Sequence, residues 1–155
     1  MAIINPYLNF AGNTEEAFNF YKSVFGGEFI VFQRYKDMPK DANQEAQEGA
    51  SQSQQITAKD AEKVLHVALP VGKSNILMGS DCPESMAKSI IMGTNVSLSL
   101  NTDSEEETER LFKALSEDGV VKMPLAKTFW NAYFGMCTDK FGINWMVNFD
   151  YGQVK

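Results

Sequence analysis

His66 is the only histidine in the chain, and an unperturbed imidazole titrates close enough to neutrality to give or take a proton at physiological pH. It stands in Val64–Val71, a run that reads as a strand, where it shares a face with Ala68 while Leu65 and Val67 take the other. Two readings of it stand: an interior side chain satisfied by a hydrogen bond, or a catalytic acid or base facing a cavity. Asp81 ends the hairpin that follows and could lie near it, at a distance that one sequence does not fix. Cys82 and Cys137 lie far apart and form no CxxC pair, so they read as ordinary thiols in a reducing compartment. Glu105, Glu106, Glu107 and Glu109 cluster, but at the start of an amphipathic pattern, where carboxylates serve a solvated helix end. The remaining chemistry is that of binding. Trp130, Met136 and Met146 could form an apolar wall, with Asn95, Ser97 and Ser99 as placed polar groups, which is the make-up of a small-ligand pocket.

The elements that must position these residues repeat. Thr14–Lys22 resembles Glu105–Lys113 at a shift of 91, with Ala17, Phe20, Tyr21 and Val24 matching Thr108, Leu111, Phe112 and Leu115 as inward stripes. Asn13 or Thr14 and Ser104 are the expected caps, and Gly26-Gly27 and Gly119 the expected ends. A strand precedes each helix, Ile4–Phe10 and Asn95–Asn101; in the second, Val96, Leu98 and Leu100 alternate with Asn95, Ser97 and Ser99. Three strands follow each helix: Glu28–Tyr35, Val64–Val71 and Asn75–Ser80, then Val120–Thr128, Tyr133–Thr138 and Ile143–Phe149. Gly72 and Gly142 occupy the last turn of each half. These strands repeat at a shift of 70, so the first half carries 21 extra residues, which the polar stretch at about 36–60 supplies. The expected architecture is α+β: one domain over 1–155, built of paired βαβββ modules at 1–82 and 93–150.

With 155 residues, 44% apolar and 22% charged, the chain has the make-up of one soluble globular domain. A net charge of −6 disfavours nucleic acid as a partner. The first ten residues carry neither a basic start nor a long apolar run, so neither a signal peptide nor a membrane span is expected, and the location is cytoplasmic.

Pro6-Tyr7-Leu8-Asn9-Phe10, Gly12-Asn13, Phe20-Tyr21, Phe25-Gly26-Gly27-Glu28, Leu65-His66-Val67-Ala68-Leu69, Met123-Pro124-Leu125 and Phe141-Gly142-Ile143-Asn144-Trp145-Met146 stand in this order along the chain. In this set the sequence resembles the PhnB-like branch of the vicinal-oxygen-chelate superfamily, the group of glyoxalase I, extradiol dioxygenases and bleomycin-resistance proteins. The resemblance implies a curved, cup-shaped mixed sheet with helices outside, and a homodimer. Metal-dependent members hold one divalent ion with His, Glu or Gln at positions that fall here on Asn5, Asn95 and Met146. Two neutral amides and a thioether, which prefers soft copper(I), are poor ligands for such an ion. No cofactor and no metal are therefore expected.

Three functions compete: a binding protein that sequesters a small organic ligand in the cup; a lyase, isomerase or dioxygenase with a non-standard metal site around His66; and a metal-free enzyme using His66 or Asp81 as acid or base. A methyltransferase label attached to some relatives fits poorly, because Gly26-Gly27 follows a helix and precedes a strand, the reverse of a nucleotide-binding loop. A phosphonate would need a cationic clamp, for which Arg34, Lys122 and Lys127 are the candidates.

Overall fold

The computed structural model of the chain describes residues 2–39 and 56–153. It divides into two compact units, Met1–Ile90 and Ile91–Lys155. The first contains β1 (Tyr7–Phe10), α1 (Thr14–Phe25), β2 (Val31–Arg34), β3 (Val64–Val71) and β4 (Asn75–Asp81). The second contains β5 (Leu98–Thr102), α2 (Glu105–Ser116), β6 (Val120–Lys127), β7 (Ala132–Thr138) and β8 (Asn144–Asp150). Their sheets have the orders β1-β4-β3-β2 and β5-β8-β7-β6. In each, the first strand runs parallel to the last and the other pairs are antiparallel. This is the expected α+β architecture of two βαβββ modules. Most of the polar insertion at 36–60 lies outside the described residues, whose gap runs from 40 to 55.

Each unit packs one helix on one face of its sheet. Thr14, Ala17, Phe18, Tyr21 and Val24 of α1 are buried, and Phe10, Val67, Leu69 and Leu77 meet them from the strands. At about 1.5–3 kcal/mol for each large apolar side chain removed from water, this layer is the main stabilising contribution of the unit. The helix boundaries repeat at the expected shift of 91, and so do three inward pairs, Ala17, Tyr21 and Val24 with Thr108, Phe112 and Leu115; the fourth does not. Phe18 rather than Phe20 points at the sheet, because Gly79 on β4 leaves a space for its ring; a Cβ there would lie 2.6 Å from the Phe18 ring. Phe20 is half-buried and leans on Tyr21, ring centroids 5.6 Å apart. The buried set of α2 is Thr108, Leu111, Phe112 and Leu115, facing Trp145, Val147 and Phe149. Replacing Gly79 by alanine is expected to cost about 1–3 kcal/mol, read as a lower urea midpoint with an unchanged slope.

The helix ends follow the sequence in part. Ser104 caps α2, its hydroxyl accepting from the Glu107 amide at 3.1 Å. Asn13 makes no side-chain cap on α1; a carboxylate from β4 does that work. Gly26 closes α1 with φ 78°, its backbone N–H donating to the Lys22 carbonyl. After α2, the left-handed residue is Asp118, φ 57°, rather than Gly119. Gly72 and Gly142 have φ 66° and 89° in the β3–β4 and β7–β8 turns, as the hairpins require.

Candidate functional site

Since Val67, Leu69, Leu77 and Gly79 face α1, the alternate residues of β3 and β4 face away from the helix. On that open face His66 pairs with Gln33 of β2, and Ser80 pairs with Asn9 of β1. The register Val67–Gly79 sets His66 beside Ser80, so Gln33, His66, Ser80 and Asn9 form one polar row across the sheet. Tyr7 lies alongside: its hydroxyl is 3.3 Å from His66 Nδ1, and the two rings stack at 5.7 Å with 8° between their planes. Whichever of the two atoms gives the proton, the contact engages Nδ1 of the ring rather than Nε2.

Asp81 is elsewhere. It faces α1, is 2% exposed, and its Oδ1 accepts from the Gly12 amide, the Thr14 amide and the Thr14 hydroxyl at 3.0, 3.0 and 2.7 Å. Its Oδ2 accepts from the Val64 amide at 2.9 Å. Asp81 and His66 therefore lie on opposite faces: one residue along a strand reverses the face, and the neighbour of His66 is Ser80. Asp139 is the counterpart in the second unit, accepting from the amides of Phe141 and Ile143 and from Trp145 Nε1.

The open face of the second sheet is apolar at its centre. Met136 pairs with Met146 and with Met123, Phe134 pairs with Asn148, and Ser99 pairs with Met146. The Trp130 ring meets that of Phe134 edge-on at 6.0 Å and that of Phe129 at 4.9 Å. Trp130 is half exposed and Phe129 almost fully exposed. The amides of Asn148 and Asn101 bond to each other at 3.3 Å at the border of this surface. Thus Met136 and Met146 are cross-strand partners, and Trp130 meets the neighbouring Phe134. Asn95 and Ser97 do not join them: β5 begins at Leu98, and Asn95 is exposed in the bend before it. The Asn144 side-chain amide donates to the carbonyls of Gly93 and Val96, holding that segment off the ladder, so Ser99 and Asn101 take the polar positions instead. Trp145 and Tyr133 lie on the helix face, bonded to Asp139 and Glu109.

A divalent metal does not suit the positions that the resemblance indicates. The Asn5 side-chain oxygen accepts from the Ile76 amide at 3.1 Å, Asn95 is exposed, and Met146 offers only a thioether. Among the described residues, no three His, Cys, Asp or Glu side chains gather to hold a metal ion. The cationic clamp fares no better. Arg34 forms a two-pronged pair with Glu15 at 2.9 and 2.8 Å, which raises its own pKa and lowers that of Glu15. Lys127 pairs with Glu105 and lies over the Tyr151 ring, and Lys122 is exposed on β6. A hollow lined by Tyr35, Thr57, Asp60, Pro83 and Glu84 opens in the first unit near Asp81, whose carbonyl accepts from the Tyr35 hydroxyl at 2.8 Å.

Both cysteines are free. Burial pushes the Cys137 thiol up to about 11, so the nucleophilic thiolate is scarce there at neutral pH. In the native protein at pH 8, Ellman's reagent is expected to titrate Cys82 and to reach Cys137 only after unfolding; rapid reaction of both thiols would contradict the burial of Cys137.

Two βαβββ units, each with a helix on one face and an open face opposite, define the glyoxalase/bleomycin-resistance/dioxygenase fold. An enzyme so described from Burkholderia phytofirmans PsJN shares it at a TM-score of 0.55 and 17% identity, covering 92% of this chain and 95% of that one. Within that fold the chain belongs to the PhnB-like family described as 3-demethylubiquinone-9 3-methyltransferase, which it matches over residues 2–148. It is 32% identical over 145 residues to Protein YjdN of Escherichia coli K12, covering 94% of this chain and 93% of that protein. Protein PA1353 from Pseudomonas aeruginosa is similar in structure at a TM-score of 0.75 and 39% identity, covering 97% and 98% of the two chains. A PhnB protein from Bacillus cereus, called a putative 3-demethylubiquinone-9 3-methyltransferase, has a TM-score of 0.65 at 24% identity over 96% and 99%. No helix among the described residues is long and apolar enough to cross a membrane.

Proposed function

We propose that the protein binds a small organic ligand on the open face of its second sheet, without a divalent metal. One observation carries this reading: Phe134, Met136 and Met146 share the sheet face that α2 does not cover, the Trp130 ring meets that of Phe134, and Ser99, Asn101 and Asn148 supply polar groups on the same face. Such a surface with a few placed polar groups is what small-molecule sites are made of. Sequestration, as in bleomycin-resistance relatives, needs nothing more. Methyl transfer by a nucleotide-fold route lacks this support, because the turn between β1 and α1 is filled by the Asp81 carboxylate, bonded to the amides of Gly12 and Thr14. The test is a thermal-shift screen of small organic compounds on wild type and Trp130→Ala. Hits are expected to lose about tenfold or more in affinity in the variant, the scale of an aromatic anchor. Hits indifferent to Trp130→Ala would move the site elsewhere.

A second reading, metal-free acid–base catalysis, is favoured by the Tyr7–His66 contact, which orients the imidazole on an open face. If a ligand found by the screen is turned over, His66→Ala is expected to remove at least about 99% of the rate, the lower end of general acid–base contributions. Tyr7→Phe should lower it less and flatten its pH profile. Undiminished turnover in His66→Ala would eliminate this reading.

The same account makes the protein a cytoplasmic homodimer. Its free thiols suit a reducing compartment. The eight-residue edge strand β6 exposes Val120, Val121 and Met123, a surface that a second copy would cover. Sedimentation as a monomer at micromolar concentration would contradict the dimer.

A further inference from the structure

Where β6 turns into β7, three aromatic rings meet at steep angles. The Trp130 and Phe134 rings lie 6.0 Å apart with 66° between their planes, and Phe129 meets Trp130 at 4.9 Å and 90°. Two rings set in this way make a corner whose walls are both ring faces, the negative side of the aromatic quadrupole. The corner is open, with Trp130 half exposed and Phe129 almost wholly so. A carboxylate reaches the same end of the sheet. Trp145, Val147 and Phe149 face α2, so Asn148 and Asp150 take the open face. Asp150 pairs with Ala132, two residues before Phe134. Diagonal neighbours of this kind on one face stand about 7–8 Å apart. The Tyr151 amide donates to the Asn131 carbonyl at 3.1 Å, tying the end of β8 to the turn that carries Trp130. Asp150 Oδ1 accepts from the Gly152 amide at 2.8 Å.

We propose that Trp130, Phe134 and Asp150 select an organic cation, an alkylated ammonium group, as the charged part of the ligand on this face. The inference rests on the ligand site proposed above and names the class of its occupant. A cation within about 6 Å of a ring centroid is attracted by the ring face, and alkyl groups on the nitrogen pack against the rings. The carboxylate supplies the opposite charge, and a chain charge of −6 draws cations in general. An anionic ligand finds no partner here. Lys127 pairs with Tyr133 and turns to the helix side, where it meets Glu105 and the Tyr151 ring. Lys122 lies between Val121 and Met123, which pair with Cys137 and Met136, about 13 Å or more along β7 from Ala132.

The test titrates the full chain, labelled with nitrogen-15, with choline chloride and with its uncharged isostere dimethylbutanol, in which carbon replaces the nitrogen. Sodium chloride at equal ionic strength is the control. The chain has two indole N–H signals. Choline is expected to move that of Trp130 along a saturating curve and to leave that of Trp145, bonded to Asp139 under α2, in place. Its affinity should exceed that of dimethylbutanol about tenfold or more and fall as salt is raised. Asp150→Asn keeps an oxygen for the Gly152 amide, and should weaken choline about fivefold or more without changing dimethylbutanol binding. Phe134→Leu keeps an apolar side chain but removes a ring face, and should reduce the same preference independently. Equal affinity for the two compounds, choline binding unchanged in both variants, or a Trp130 signal no more responsive to choline than to sodium chloride would each overturn the cation assignment. The ligand site itself is judged separately, by the response of screened compounds to Trp130→Ala.

Discussion

Asp81→Ala is expected to lower the stability of the protein by about 4 kcal/mol and its thermal midpoint by about 10 °C. The carboxylate is 2% exposed and accepts four hydrogen bonds. Those bonds join three parts of the chain: the turn before α1, the first residue of α1, and the start of β3. Hydrogen bonds to a charged group contribute about 1.5–3 kcal/mol each, and a buried donor left without a partner costs about 1–3. Alanine removes all four acceptors at once and leaves the amides of Gly12, Thr14 and Val64 to find others. The figure of 4 sits well below the sum of the separate bonds because water enters the vacated space and the turn relaxes. Asp81→Asn should fall between, since one amide oxygen still accepts while its nitrogen confronts an N–H donor. Urea unfolding with tryptophan fluorescence and far-ultraviolet circular dichroism checks this. A loss under 1 kcal/mol for Asp81→Ala would show that the carboxylate does not hold these segments together.

Gly119→Ala is expected to cost about 3 kcal/mol, above the usual range for an added methyl group because the obstruction is backbone. A Cβ on Gly119 would fall well inside contact distance of the Thr138 carbonyl oxygen and 3.1 Å from Asp139 Cα. No rotamer relieves this, in contrast to Gly79, which faces the movable Phe18 ring. Relief requires the start of β6 to shift away from β7 where Val120 pairs with Thr138. The shift would spread to the Met123–Met136 pairing four residues on. Wild-type stability in Gly119→Ala would mean that the approach of β6 to the β7–β8 turn is looser than described.

The strand and helix order of both halves was legible because each element carries its own signal: alternation in Asn95–Asn101, an apolar stripe after Ser104, glycine at the Gly72 and Gly142 turns. What was not legible depended on tertiary partners. The choice of Phe18 over Phe20 is made by the missing side chain of Gly79, on a strand 61 residues away. The α1 cap comes from Asp81 rather than from Asn13, again across a long separation. In the second unit, Met136 and Met146 fall on one face as the hairpin pattern suggests, but Asn95 and Ser97 precede β5, where the Asn144 side chain holds the segment before Leu98. Met123 was visible in a motif, yet its face is set by two irregularities in pairing that alternation does not reveal. Tyr7 went unremarked as a partner of His66 because the parallel register between β1 and β4 brings it there, and no local signal encodes that register.

The central claim is that a small ligand lies on the open face of the second sheet, and the two tryptophans make it directly measurable. Trp130 is 53% exposed on that face, whereas Trp145 is 2% exposed under α2 and bonded to Asp139. In a Trp145→Phe chain, whose emission comes from Trp130 alone, a ligand identified by the thermal-shift screen should change the intensity or wavelength of that emission with a saturating one-to-one curve. Its affinity should match that measured for wild type. A ligand that binds the Trp145→Phe chain with wild-type affinity but leaves Trp130 emission untouched would contradict the claim.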